Sequence, residues 1–241
     1  MIRSRLFSTA LLLTVAAALT GCDADKFDLG VLDNWMPGKP KPADQWKPAG
    51  ATLDGATLFS QNCLGCHSIG ATTGPAIAMD NPLYLAIIPR ETLTDVITKG
   101  VPGRQMPGFL EATGGSLTKE QIDKLVDYIF ESKKPIEGPL PPYSAPLGNP
   151  AAGEAVFATY FASFPGMTGP GSITDPAFLG LVSDQYLRSL VIAGRPELGF
   201  PDYRSRVPGK AMTDAEIADV TAWIASHRTN EFGQPQTTPN P

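Results

Sequence analysis

Cysteine and histidine are scarce in this 241-residue chain, with three of the first and two of the second. So few ligands argue against a zinc site, which gathers four N or S donors close together. After the first twenty residues no apolar run is long enough to span a bilayer. Basic charge is also short, with 19 Lys and Arg against 24 Asp and Glu. A net-acidic chain of this kind argues against nucleic acid as a partner. Proline and glycine are the opposite case: 24 of each imply long loops and linkers, and the length suits two small domains.

Two of the three cysteines and one of the two histidines fall in five residues, Cys63-Leu64-Gly65-Cys66-His67. A C-x-x-C-H run is the attachment site of c-type haem. Thiols three residues apart can reach the two vinyl groups of one porphyrin and form thioethers. The next residue, His67, then supplies an axial imidazole. One covalently bound haem c is therefore expected. The competing reading, a thioredoxin-like C-x-x-C, would need a βαβ context that the flanking sequence does not offer.

The start of the chain reads as an export signal. Arg3 and Arg5 precede the apolar run Leu11 to Leu19, which ends in Leu19-Thr20-Gly21-Cys22. Small residues directly before a cysteine resemble a bacterial lipoprotein processing site. That resemblance implies a signal peptide over 1–21, lipidation of Cys22, and several acyl chains that together anchor stably. Asp23 resembles an inner-membrane retention signal. The expected location is the periplasmic face of the inner membrane. With Cys22 lipidated and the other two thiols on haem, none is left for a disulfide.

Composition divides the rest. Residues 22–50, with Pro37, Pro40, Pro42 and Pro48, read as a lipidated Pro-rich tether. Residues 51–134 read as a helical domain. Its last helix opens on a T-x-x-Q capping box, Thr118 to Gln121, and carries Ile122, Leu125, Val126 and Ile129 on one face. Residues 135–148 hold five prolines and read as a semi-extended linker. Residues 149–230 read as a second domain, and 231–241 as a disordered tail.

Residues 51–134 resemble a class I c-type cytochrome. The matching pieces are Gly55 and Phe59 on the entry helix, the haem motif, Gly74-Pro75, a loop methionine, and an aromatic-bearing last helix with Tyr128. The resemblance implies an all-α fold whose first and last helices cross through the glycine and the aromatic. It implies a second axial ligand from a downstream loop. Met106, in Val101-Pro102-Gly103-Arg104-Gln105-Met106-Pro107, fits that place; Met79 is the rival. It further implies that the Pro75 carbonyl accepts a hydrogen bond from the His67 ring.

Residues 149–230 repeat the pattern at an offset of 94 to 98. Gly153 and Phe157 match Gly55 and Phe59, Thr168-Gly169-Pro170 matches Thr73-Gly74-Pro75, and Thr213 and Glu216 match Thr118 and Gln121. At the ligand positions Phe161, Phe164, Pro165 and Phe200 stand where Cys63, Cys66, His67 and Met106 would be. The chain thus reads as two tandem cytochrome c-like domains, the second degenerate and haem-less. The three phenylalanines are expected to fill the place of the missing porphyrin. Three roles are open for this half: docking module, cap over the haem edge, or small-ligand pocket. Arg195, Arg204, Arg206 and Lys210 either face an acidic partner or form an ordinary solvated loop. His227 fits a helix C-terminus better than a metal site.

The function implied is single-electron transfer without catalysis. The chain resembles the membrane-held cytochrome subunits of respiratory or photosynthetic complexes, and is expected to serve a quinol-oxidising or terminal-oxidase complex as subunit or tethered shuttle. An alternative is the electron-accepting cytochrome subunit of a periplasmic dehydrogenase. A two-haem peroxidase is disfavoured by the single attachment motif, and a haem sensor by the expected closure of the iron by Met106.

Overall fold

Among the described residues, seven of the eight α-helices start where a short polar side chain takes up an unsatisfied N–H group; the helix at Arg90 follows Pro89 and has no such bond. The computed structural model describes residues 52–69, 74–164 and 172–229. The export segment, Cys22, the tether, Thr73, Pro165, Thr168-Gly169-Pro170 and the tail lie outside the described residues. Helix α1 spans Gly55–Asn62, and the Asp54 carboxylate accepts from the Thr57 N–H at 2.8 Å. Helix α2 spans Pro82–Ile87, with Asn81 Oδ1 accepting from Leu83 and Tyr84. Helix α3 spans Arg90–Lys99, and α4 spans Lys119–Glu131. The box expected at Thr118 and Gln121 is formed in both directions, at 3.2 and 2.9 Å. A cap of this kind contributes about 1 kcal/mol.

The second half repeats this order. Helix α5 spans Pro150–Tyr160, α6 Pro176–Leu181, α7 Asp184–Ala193 and α8 Asp214–Ala225. Asn149, Asp175, Ser183 and Thr213 cap them in turn, and Thr213 with Glu216 forms the second capping box. Among the described residues there is no strand, only isolated bridges. The fold is all-α.

Helix α1 crosses α4, and α5 crosses α8. Both crossings need a glycine. A Cβ on Gly55 would lie 2.4 Å from Tyr128 Cβ. One on Gly153 would lie 2.1 Å from the Asp219 carbonyl oxygen and 2.6 Å from Trp223 Cβ. Below these crossings Ile122, Leu125, Val126 and Ile129 are buried in the first half, and Ile217, Val220 and Ile224 in the second. Full burial of each such side chain contributes roughly 1.5–3 kcal/mol.

The halves are not independent. Helix α2 packs against α7, and Ile77, Leu83 and Ile87 of the first half join the hydrophobic core of the second. Asn81 Nδ2 donates to the Ala193 carbonyl at 3.3 Å. The segment 135–148, read from composition as a semi-extended linker, is laid down on the surface by hydrogen bonds. Ile136 N–H donates to Pro82, Gln185 Nε2 to Tyr143 at 2.7 Å, and Arg188 Nη2 to Pro142 at 2.9 Å. Proline carbonyls keep their acceptor capacity while the residue offers no N–H, so a buried arginine is their natural partner.

Candidate functional site

Helix α1 runs directly into the haem motif. The Cys63 N–H donates back to Phe59 at 2.8 Å, Cys66 to Cys63 at 3.1 Å, and His67 to Cys63 at 2.8 Å. This turn presents two thiols and an imidazole from one short segment. Cys63 is half-buried against the first core and Cys66 is exposed; neither is in a disulfide. Burial, reinforced by Cys66, pushes the Cys63 thiol up to about 12. It stays protonated at neutral pH.

His67 Nδ1 lies 3.0 Å from the Ile77 carbonyl. A carbonyl can only accept, so the bond places the proton on Nδ1 and the lone pair on Nε2, the form in which a neutral imidazole ligates iron. Burial holds the ring below its ordinary pKa; the Ile77 bond opposes this and the Arg195 charge adds to it. The expected bond from this ring to Pro75 is therefore corrected: the partner is Ile77. The Pro75 carbonyl is taken instead by Arg195 Nη1 at 3.0 Å, and the neighbouring Gly74 carbonyl by Arg195 Nη2 at 2.6 Å. A charged guanidinium with two donors competes better for adjacent carbonyls than a neutral imidazole with one.

Met106 sits in the loop between α3 and α4. The Val101 N–H donates to its carbonyl at 2.9 Å, and its side chain lies partly buried against the first core. Met79 is 5% exposed inside that core. The loop also touches the second half, through Arg104 Nη1 to the Gly180 carbonyl at 3.2 Å.

The second half carries the same backbone with different side chains. Phe161 N–H donates to Phe157 at 2.9 Å and Phe164 N–H to Phe161 at 3.0 Å, the bonds made by Cys63 and Cys66. Arg195 N–H donates to Phe200 at 2.7 Å, as Val101 does to Met106. The Phe161 and Phe200 rings lie 5.4 Å apart, and Phe164 meets Phe200 edge-on at 5.4 Å. Arg206, 6% exposed, lies over Phe161 at 4.5 Å and over Phe200 at 4.3 Å. It donates to Pro201 at 3.1 Å and to Met212 Sδ, and burial pushes it down to about 9. Two aromatic faces supply what solvent no longer does; a desolvated cation–π contact is worth about 2 kcal/mol.

From the sequence, Arg195, Arg204, Arg206 and Lys210 are expected either to face an acidic partner or to form a solvated loop. Neither holds for Arg195 and Arg206, which are buried, and Arg204 is paired with Asp202. His227 is exposed, bonds the Trp223 carbonyl at 2.8 Å and stacks edge-on against that ring. Ile77, Asn81 and Arg195 were missed as contributors to the haem loop. Their partners lie across loops or in the other half, where no periodicity or motif points.

The donor set suits haem c: two thiols free of disulfide, a neutral imidazole with its tautomer set, and a thioether on a separate loop. Among the described residues no three His, Cys, Asp or Glu side chains gather as a metal site.

Residues 50–129 match the family described as cytochrome C oxidase, cbb3-type, subunit III. A cytochrome c55X of Stutzerimonas stutzeri is 37% identical over 83 residues, which are 34% of this chain and 66% of that protein. A cytochrome c6 of Microcystis aeruginosa is 29% identical over 77 residues, 32% of this chain and 91% of that protein. The chain thus spans just under two thirds of the first of these relatives. No solved structure matches it.

Proposed function

We propose that the c-type cytochrome domain at residues 50–129 makes this chain a membrane-anchored, periplasmic, single-haem electron carrier that serves a respiratory complex. The domain binds haem c covalently and carries electrons rather than catalysing a reaction. In this reading Cys63 and Cys66 would attach the haem, His67 and Met106 would supply the ligands to its iron, and Cys22 would carry the lipid. Bound there, haem c supplies a one-electron ferric–ferrous couple, and methionine ligation raises its potential. The chain's own residues do the rest. Ile77 orients the His67 ring, α1 and α4 hold the motif against a packed core, and the loop around Met106 presents the second ligand.

The observation that carries this reading is the match of residues 50–129 to a terminal-oxidase cytochrome subunit family, on the segment that holds the C-x-x-C-H motif. A quinol-oxidising or terminal-oxidase complex is the partner that it favours. In the same reading, residues 149–230 are a second copy of the fold that has lost its haem. Their repeated helix order and repeated backbone bonds support this, as do the three phenylalanines and Arg206 packed together at the ligand positions. The second half then acts as a fixed support for the haem domain.

Affinity capture after mild detergent extraction tests the proposal. Co-purification of stoichiometric oxidase or quinol-oxidising subunits is the expected result. Recovery of dehydrogenase subunits instead would move the chain to a periplasmic dehydrogenase. Replacing residues 1–22 by a cleavable export signal that leaves no acceptor cysteine is expected to shift the protein from the membrane to the soluble periplasmic fraction.

A further inference from the structure

Arg195 belongs to the second half, yet its guanidinium ends on the loop that follows the haem motif of the first. It is 7% exposed. Its backbone is held in a tight reciprocal pair with Phe200, N–H to carbonyl at 2.7 Å and carbonyl to N–H at 3.0 Å. Its Nε pairs with Glu197, its Nη1 donates to Pro75 at 3.0 Å and its Nη2 to Gly74 at 2.6 Å. The loop it grips is tied to the haem motif from the other side as well. The Ala76 N–H donates to Cys66 at 3.0 Å, and the Gly74 N–H to Ser68 Oγ. Ile77, whose carbonyl holds His67, is two residues beyond Pro75. A second tie from the same half, Asn81 to Ala193, secures the end of this segment.

We propose that Arg195 is the positioning residue through which the second half fixes the haem loop and sets the reduction potential of the haem. This rests on the haem-carrier reading above. Two effects act together. The planar fork matches two adjacent carbonyls, so the loop that carries Ile77 cannot slacken and the His67 ring keeps its orientation. The guanidinium is also a positive charge taken out of water beside the haem motif, where screening is weak. Reduction lowers the charge of the haem iron by one, so a nearby cation favours the ferrous state and raises the potential. Glu197 opposes this, but its side chain is 25% exposed against 9% for Arg195, so water screens it more.

A redox titration of the haem-loaded full chain tests the proposal. Arg195→Gln keeps donors but removes the charge. It is expected to shift the ferric–ferrous equilibrium about tenfold toward ferric, which is about 59 mV downward for a one-electron couple. Glu197→Gln removes the opposing charge and is expected to move the potential upward. Arg195→Lys keeps the charge but loses the fork, and is expected to lie between the wild type and Arg195→Gln. Loosening of the loop alone would move Arg195→Gln and Glu197→Gln in the same direction. Same-sign shifts, or no shift in either variant, overturn the proposal while the haem-carrier reading stands. A wild-type chain with no covalent haem band overturns both. If Arg195→Gln fails to fold, the sign of the Glu197→Gln shift and the behaviour of Arg195→Lys still decide the matter.

Discussion

Phe161 holds in the second half the backbone position that Cys63 holds in the first. Each N–H donates to the carbonyl of a phenylalanine four residues earlier, Phe157 at 2.9 Å and Phe59 at 2.8 Å. The turn that presents a haem thiol in one half presents a fully buried ring in the other. That exchange changes which interactions hold each half together.

Phe161→Ala is expected to destabilise the protein by about 3–5 kcal/mol, the usual cost of removing a buried aromatic ring. Its ring stacks on Phe157 at 5.3 Å and lies under Arg206, so the cavity also strands a buried cation. Phe164→Ala, at a partly buried position, should cost less. Urea unfolding followed by far-ultraviolet circular dichroism measures both. Equal small effects would show that the aromatic cluster does not support the second half.

Met106→Ala is expected to open the iron to carbon monoxide in the reduced protein, while the wild type stays closed. Met79→Ala is expected to leave carbon monoxide binding unchanged and to cost about 2–5 kcal/mol of stability, because Met79 is a core side chain. Absorbance spectra under carbon monoxide, set beside unfolding curves, separate the two. Carbon monoxide binding by the Met79 variant alone would reverse the ligand assignment.

Gly153→Ala is expected to cost at least about 2 kcal/mol, because the new methyl would meet backbone at the α5–α8 crossing and overpacking is costly. Gly180→Ala is the control, since a Cβ there meets nothing within 4 Å. Thermal unfolding of the pair measures the difference. A Gly153 variant as stable as the control would mean that the crossing can widen freely.

Asp202 links stability to pH. Burial raises its pKa, but hydrogen bonds from Arg204 and the charges of Arg204 and Arg206 outweigh this and hold it below the ordinary carboxylate value. The unfolded chain therefore binds the proton more readily than the folded one. The resulting stability is present above the ordinary aspartate value of about 3.9 and is lost as pH falls through the lower folded value. The urea midpoint is expected to fall in this acid window, and Asp202→Asn is expected to flatten that fall. An unchanged slope in the variant would assign the acid sensitivity to other carboxylates.

The fold class and the haem chemistry were legible in the residues because both rest on short-range rules. A C-x-x-C-H run, two capping boxes and a 3.6-residue apolar period each involve residues within a turn or two of one another. The aromatic substitution at the ligand positions was legible too, since a near-constant offset aligns the two halves. Helix α2 was not singled out, as six residues behind a proline carry little periodicity.

What the residues alone determined is therefore local: where helices begin, which segment carries the C-x-x-C-H run, and which half has no such run. Tertiary structure decided everything that joins distant positions. It turned His67 to Ile77 rather than to Pro75, placed Arg206 between two rings, laid the proline-rich segment against Arg188, and carried Arg195 across 120 residues to Pro75. The physical reason is that a guanidinium or a carbonyl carries no mark of its partner in the sequence. Which of several donors reaches a given acceptor is settled only when two packed cores bring them within 3 Å of each other, and water is gone.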